Sequence, residues 1–254
     1  MIKIRNKKGQ VMIWVILAIA LVASMILFFT IDRHPIITTQ RDFNANNYIE
    51  SCVREHVNDA VNEMIPHGGF IEPVNFKVYD DIKIEYLCEN IGNYLPCVNQ
   101  HPMLLNEMKL EIKNYIEPRV EQCFADFKRE IESRNGNVEY GPMNIEVSLG
   151  PDRVYTNIAR RTTITQNGET TTADEYNFEI VNPLYDLGNV AIEIASQEAK
   201  YCYFEYVGYM ILYPRFSIEK FAMSDSTKIY QIKDKKTNKE LNIAKRSCAI
   251  PAGI

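Results

Sequence analysis

The sequence lacks the short motifs by which many enzymes are recognised. It has no GxSxG nucleophile elbow, no GxxxxGK[ST] phosphate loop and no GxGxxG dinucleotide fingerprint. It has no CxxC pair, so neither a zinc ribbon nor a thioredoxin-type site is expected. It also has no Asn-x-Ser/Thr sequon for N-glycosylation. These absences weigh against an enzyme, and we expect no cofactor, no metal and no small-molecule substrate.

Histidine is scarce as well. His34, His56, His67 and His101 are the only four, and none stands in HExxH or another tight ligand spacing. Surface or capping roles are therefore favoured over a metal site. Cys97 and His101 suggest a thiol–imidazole pair, but a disulfide at Cys97 would remove the nucleophile.

A cluster of acidic residues on the first predicted helix also has a simple explanation. Glu50, Glu55, Asp59 and Glu63 do not follow the DxDxDG spacing of a calcium loop. A solvated helical face is favoured over a calcium or acid–base site.

Charge is absent between Lys8 and Asp32, where Val11 to Ile31 form the longest apolar run. Ser24 and Thr30 are the only polar members of this run. About twenty helical residues, at about 1.5 Å each, would cross a hydrocarbon core of about 30 Å. The run is therefore predicted to be a transmembrane helix or the core helix of a filament.

The basic leader before this run sets its orientation. By the positive-inside rule, leader 1–10 stays in the cytoplasm, helix 11–31 crosses the membrane and domain 32–254 is exported. Four of the 28 basic residues lie in the leader, so the exported part carries 24 of them against 33 acidic residues. Such a domain lacks the basic face that a nucleic acid requires. We expect a membrane protein with an extracytoplasmic domain, or an extracellular filament.

Three interpretations of the apolar run compete. A removable secretory signal has an apolar core of about 7 to 15 residues, followed by a small-residue cleavage site. This core is longer, and Ala18-Ile19-Ala20 lies inside it. A permanent single-pass anchor fits the run. The third interpretation depends on the residues that precede it.

Lys7-Lys8-Gly9-Gln10 lies directly before the apolar run and resembles the class III signal of archaeal type IV pilin-like proteins. The resemblance implies cleavage between Gly9 and Gln10, after which the apolar helix packs against its copies in a filament. The fifth mature position, where pilins often carry glutamate, is Trp14, and a tryptophan there also suits a membrane interface. Four small residues would let such helices approach closely, namely Ala18, Ala20, Ala23 and Ser24.

Six cysteines lie in the part of the chain placed outside the cell. An oxidising compartment favours three disulfides, for which fifteen connectivities exist in principle. The spacing favours a bridge between two helices, a local bridge across a loop and a bridge to the C-terminal tail. The three expected pairs are Cys52 with Cys123, Cys88 with Cys97, and Cys202 with Cys248.

Apolar residues at three- and four-residue steps predict three helices in the exported domain. The first begins after Asp42 and ends before Pro66. The second spans Pro102 to Arg134, where Pro118 is expected to kink or divide it. The third is expected from Leu184 to about Leu212, although its aromatic tract also suits a strand. Core packing and subunit contacts are favoured over an adhesive surface for the tyrosines of that tract.

Alternating patterns predict an antiparallel sheet between Asn137 and Pro183, with a hairpin at Asn167-Gly168. Shorter strands are predicted on both sides of Asp80-Asp81 and, near the C-terminus, at 216–221, 228–232 and 240–244. The fold class is therefore α+β, with helices packed on antiparallel sheet.

The order of these elements resembles that of a group of largely uncharacterised archaeal surface proteins with pilin-like N-termini. The resemblance implies a structural subunit or minor component of a type IV pilin-like filament, whose partners are the membrane and copies of itself or related subunits. The alternative is a static, membrane-anchored binding or adhesion protein. The two differ in the fate of the leader and in self-association.

Overall fold

The computed structural model describes residues 17, 19–25, 45–92, 94–246 and 248. The chain forms two compact units, Met1–Asn44 and Ala45–Ile254. The second unit is an α+β domain, as predicted, with four α-helices among its described residues. In chain order its elements are α1 (Ala45–Met64), a 3₁₀ turn (Ile65–His67), β1 (Phe76–Tyr79), β2 (Ile82–Glu89), β3 (Val98–Asn99), α2 (Leu104–Ser133), β4 (Asn137–Tyr140), β5 (Asn144–Gly150), β6 (Arg153–Gln166), β7 (Glu169–Val181), α3 (Leu184–Tyr201), α4 (Tyr206–Leu212), β8 (Phe216–Ala222), β9 (Thr227–Asp234) and β10 (Glu240–Arg246).

Helices α1 and α2 pack against each other along the apolar faces that the sequence predicts. The buried residues of α1 are Ile49, Val53, Val57, Ala60, Val61 and Met64. Those of α2 are Leu104, Met108, Ile112, Ile116, Val120, Cys123, Phe124, Phe127 and Ile131. Pro118 does not divide α2, because it lies on the exposed side while Ile116 and Val120 continue the buried stripe. A kink at Pro118 stays a prediction.

The first sheet is built around the long strand β6. Strands β4 and β5 pair with different parts of β6, and β7 pairs with it over nearly its whole length, all antiparallel. The predicted hairpin is confirmed, because Asn167 and Gly168 both have positive φ (53° and 83°) between β6 and β7. Positive φ at both positions is what a tight hairpin turn with the right-handed strand twist requires.

The second sheet combines strands from distant parts of the chain. Its order is β1-β2-β10-β9-β8, and β3 also pairs with β2. All pairs are antiparallel except β10 with β2, which is parallel. The strands were predicted individually, but a mixed sheet joining both ends of the domain was not.

Helix α3 connects the two sheets. It contacts β5 and β6 of the first sheet, and β2, β3, β9 and β10 of the second. It also approaches α2 closely at Gly188, where an added Cβ would lie 2.6 Å from Leu105 Cδ2. A larger residue there would require the side chains of Leu105 and Met108 to move.

The prediction of a single helix from Leu184 to about Leu212 is wrong, because two helices occupy this range. The chain leaves α3 at Cys202, which adopts a left-handed conformation (φ 57°), and re-enters a helix at Tyr206. The break lets Phe204 enter the core, where it is 1% exposed and packs edge-on against Tyr230. The Glu205 carboxylate then caps α4 by accepting from Gly208 N. Helical spacing in the aromatic tract concealed this turn.

Three disulfides join the pairs expected from the sequence. Cys52–Cys123 connects α1 to α2, Cys88–Cys97 closes the loop before β3, and Cys202–Cys248 ties the residues after β10 to the end of α3. The first closes 71 residues of chain and the second only 9. Their effects on the unfolded chain should therefore differ.

We predict that replacing both Cys52 and Cys123 with alanine lowers the free energy of unfolding more than replacing Cys88 and Cys97. By the chain-entropy relation, the losses are about 4 and about 2.5 kcal/mol. Denaturant titration of the two double variants in parallel measures both. Equal losses, or the reverse order, would contradict the assignment of the longer loop as the main constraint.

Candidate functional site

The first compact unit presents an apolar helical surface. Residues 17 and 19–25 are helical, and all are exposed within their unit, including Ala20 and Ala23. The Ser24 hydroxyl donates to Leu21 O at 2.9 Å, so the helix itself satisfies its one polar side chain. The large apolar side chains are 50–66% exposed, namely Leu17, Ile19, Leu21, Val22 and Met25. This surface needs an apolar cover.

The other residues predicted for this region lie outside the described part of the chain. They are Gly9, Gln10, Trp14 and Ala18, together with both ends of the predicted run 11–31. Within the described residues, no helix combines the length and the apolar character needed to span a membrane.

The disulfide expected at Cys97 forms, so Cys97 and His101 make no thiol–imidazole pair. Cys97 is in its disulfide, and none of the described cysteines is free. His101 instead lies between two carboxylates, with Nδ1 2.5 Å from Glu107 Oε2 and Nε2 3.5 Å from Glu85 Oε1. Burial by itself lowers the pKa of His101, but hydrogen bonds to the two glutamates outweigh it and raise that pKa. Glu85 also accepts from Val74 N at 2.7 Å, so the cluster holds the loop before β1 in place.

Cys52, His56 and Cys123 place their ligand atoms within 4.8 Å of one another. Thiolate and imidazole groups in this arrangement suit zinc. In this structure, however, the two sulfurs are bonded to each other, which leaves the His56 ring as a single ligand beside Asp59 at 3.8 Å. The arrangement acts as a covalent link between α1 and α2.

The acidic residues predicted as a solvated face lie on α1. Glu55, Asp59 and Glu63 are exposed. Glu50 accepts from Arg54 at 2.6 Å, one turn further along the helix.

A buried ionic cluster, which sequence patterns did not indicate, joins α3 to the second sheet. Glu198 of α3 is fully buried, and its carboxylate meets Lys245 Nζ at 2.6 Å and Lys228 Nζ at 3.0 Å. The Tyr230 hydroxyl donates to the same carboxylate. Lys228 also donates to Cys202 O at 3.0 Å, which links the cluster to the break after α3. The sequence holds one weak signal for this burial. No charged residue lies three or four positions from Glu198, as would be common on a solvated helical face.

The ionisation of this cluster follows from its composition. Burial opposes charge on Glu198, but hydrogen bonds from Lys245 and Tyr230 and the nearby ammonium groups hold its pKa below the usual range. Burial, together with the charge of Lys228, lowers the pKa of Lys245 to about 8. Burial and the Glu198 carboxylate raise the pKa of Tyr230. The Glu198 carboxylate thus lies within ion-pair distance of two ammonium groups.

A second ionic cluster, also not predicted, connects the two sheets directly. Arg215, just before β8, contacts Asp152 and Asp234 at 2.5 Å each and Asp186 at 3.4 Å. Asp152 occupies the turn between β5 and β6, whereas Asp234 ends β9. Hydrogen bonding to Asp234 outweighs desolvation and raises the pKa of Arg215, so the guanidinium stays charged.

The predicted tyrosine tract lies largely on the surface. Helix α4 has no buried residue, and Ile211 and Leu212 are each 76% exposed. Lys220 Nζ lies 5.2 Å from the ring of Tyr203 and 4.9 Å from that of Tyr206. Phe204 alone makes the core contact that was expected of the tract.

Two surface cavities adjoin the first sheet. One, of about 360 Å³, lies between α2 and β5 and is lined by Asn106, Lys109, Leu110, Lys113, Ile145, Glu146 and Val147. The other, of about 420 Å³, lies on the sheet face and is lined by Glu146, Ser148, Tyr155, Thr156, Asn157, Asn177, Phe178 and Glu179. Neither is lined by the residues of the two ionic clusters.

Comparison with known proteins gives no relative on which to base a function. No family model and no curated protein matches the chain.

We predict that Glu198→Gln lowers the free energy of unfolding by about 3–5 kcal/mol, because it removes the buried carboxylate that neutralises Lys245 and Lys228. Adding Lys245→Met to this variant should recover much of the loss, because the partly exposed Lys228 can turn toward water. Thermal or denaturant unfolding at neutral pH measures the stability of the wild type, the single variant and the double variant.

Glu50→Gln is the matched control, since Glu50 pairs with Arg54 on the surface. That change should cost less than about 1 kcal/mol. A Glu198→Gln variant no less stable than the control would contradict the role assigned to the buried cluster.

Proposed function

We propose that the protein is a structural subunit or minor component of an archaeal type IV pilin-like surface filament. The observation that carries the proposal is the helical segment at residues 17 and 19–25, whose large apolar side chains are at least half exposed within their unit. The Lys7-Lys8-Gly9-Gln10 sequence before the apolar run supports a leader cut after Gly9.

The exposed apolar side chains favour association. Burying one such side chain fully contributes about 1.5–3 kcal/mol, so leaving several in water is unfavourable. Lipid covers them equally well in a static anchor, and a lone helix in lipid already satisfies its own hydrogen bonds. Packing between copies differs from contact with lipid because it depends on the shape of the helix surface. Ala20, Ala23 and Ser24 are small enough to let two helix backbones approach closely.

The exported domain suits such a subunit. Three disulfides and the Glu198 and Arg215 clusters join elements that are distant along the chain. Disulfides persist in oxidising compartments outside the cytoplasm. The described ionisable clusters hold elements together, which supports a function based on protein contacts.

The alternative is a static, membrane-anchored binding or adhesion protein. The observation that favours it is the cavity on the face of the first sheet, where Tyr155, Asn157 and Asn177 offer an aromatic ring and amides. Such groups bind hydroxyl-rich ligands by stacking and hydrogen bonding. This alternative requires no self-association.

Replacing Ala20 and Ala23 with leucine separates the two functions. The change raises hydrophobicity, so membrane insertion should persist, but it fills the space that close helix packing needs. We expect filaments to be lost from cells carrying the variant while the protein stays in the membrane fraction with its disulfides formed. Electron microscopy and a membrane-fraction blot provide the two readouts.

Met25→Leu is the matched control, because it changes an exposed apolar residue of the same segment with nearly constant volume. Filaments should be unaffected by it. Undiminished filaments containing the double leucine variant would argue against this helix contact, and wild-type cells without filaments would favour the static protein.

A further inference from the structure

Residues 70–75 lie between the 3₁₀ turn and β1 and belong to no helix or strand. We call them the strap. Main-chain N–H groups of the strap donate to carboxylates of neighbouring elements instead of to a sheet. Ile71 N donates to Glu111 of α2 at 3.1 Å. Val74 N donates to Glu85 of β2 at 2.7 Å, so the two ends of the strap are attached to different elements.

Glu85 makes the larger share of this attachment. Its two oxygens also accept from Asn75 N, at 3.1 and 3.3 Å, and its side chain is only 4% exposed. A buried carboxylate needs a counter-charge, because an uncompensated charge is costly to bury. Among the described residues, the ionic partner of Glu85 is His101, whose Nε2 lies 3.5 Å from Glu85 Oε1. The buried charge that holds the strap therefore depends on a histidine.

The His101 ring contacts three elements of the domain. Glu107 of α2 lies 2.5 Å from Nδ1, while Glu85 of β2 faces the other ring nitrogen. These two carboxylates are the ionisable groups that face the ring from the described residues. Phe70, the first residue of the strap, packs against the ring with 4.6 Å between the centroids. Only the doubly protonated ring can donate to both glutamates, because neutral imidazole has a single N–H.

This cation can lose its charge near neutral pH, unlike the lysines that face Glu198. The ordinary pKa of histidine is about 6.5. Burial lowers the pKa of His101, but hydrogen bonds to Glu85 and Glu107 outweigh it and raise that pKa. The stabilisation that the charged ring provides is therefore complete below about pH 6.5. It is lost as the pH rises through the raised pKa of His101.

We infer that the strap is a pH-dependent closure, held to the domain while His101 is protonated on both ring nitrogens and released when the ring becomes neutral. With a neutral ring, Glu85 is left as a buried charge without its ionic partner. Water must then reach Glu85, and its bonds from Val74 N and Asn75 N are exchanged for bonds to water. The inference goes beyond the proposed function and applies to the domain whether or not copies of the chain assemble.

Hydrogen exchange detected by mass spectrometry tests this closure in the full-length protein in detergent. Labelling runs from about pH 5.5 to about pH 9, with times scaled to the intrinsic exchange rate at each pH. The Val74 and Asn75 amides should lose about tenfold or more in protection over this range. The loss should follow the titration of the His101 ring, measured by NMR. Gln100 N donates to Leu87 O at 2.8 Å, so it should keep its protection as the internal reference.

Two variants separate the charges from the packing. His101→Gln has no titrating charge, so its strap should exchange at low pH as the wild type does at high pH. Glu85→Gln removes the buried charge but keeps an oxygen that can accept from Val74 N, so its protection should not depend on pH. His67→Gln is the matched control, because the His67 ring contacts Lys83 O at 2.6 Å instead of a carboxylate. The pH dependence of its strap should equal that of the wild type.

Circular dichroism and thiol labelling verify the fold and the disulfides of each variant, and the wild-type pH profile decides the case if a variant does not fold. Strap protection that is independent of pH in the wild type, or that still depends on pH in His101→Gln, would overturn the inference. So would a His101 ring that titrates below about pH 6.5. Loss of protection at Gln100 together with the strap would also contradict it, because that result indicates general unfolding. The presence or absence of filaments tests the proposed function separately.

Discussion

The Glu198 carboxylate is the buried charge on which the rest of the domain depends. It lies on α3, the helix that contacts both sheets, and it receives Lys228 and Tyr230 from β9 and Lys245 from β10. A buried carboxylate is tolerated only where such partners neutralise it, so a shift of α3 along the second sheet would separate Glu198 from its partners at a cost in stability. Arg215 then connects the second sheet to the Asp152 turn of the first sheet.

Several features of the fold could be predicted because local physics determines them. The apolar stripes of α1 and α2 follow the helical period, and Asn167-Gly168 supplies the positive φ values of a hairpin. The expected pair Cys52 with Cys123 rested on two apolar helix faces, and Cys88 with Cys97 on a short loop, and both are present. By contrast, the parallel pairing of β10 with β2 joins residues more than half the chain apart, and no local pattern encodes it. The break at Cys202 was missed because its aromatic neighbours have helical spacing although Phe204 turns into the core.

The residues of the candidate site also fall into those that the sequence indicates and those that only the structure reveals. The apolar run and its small residues are evident in the sequence, and the structure shows Ala20, Ala23 and Ser24 exposed on a helix. The ionic clusters were not predictable, because Glu198, Lys228 and Lys245 resemble surface residues until the tertiary fold buries them. The sheet order also required the structure, which shows that β5 and β7 each pair only with β6 among the described strands.

The central claim is that this chain functions by assembling with its own copies outside the cell. The most direct measurement is immunogold electron microscopy of the surface fraction sheared from cells that express the native chain, with antibodies against the disulfide-bonded α+β domain. The account predicts regular labelling along the length of filaments, with the sheared chain beginning at Gln10 by intact mass. Labelling confined to the cell membrane, with the chain still beginning at Met1, would contradict it.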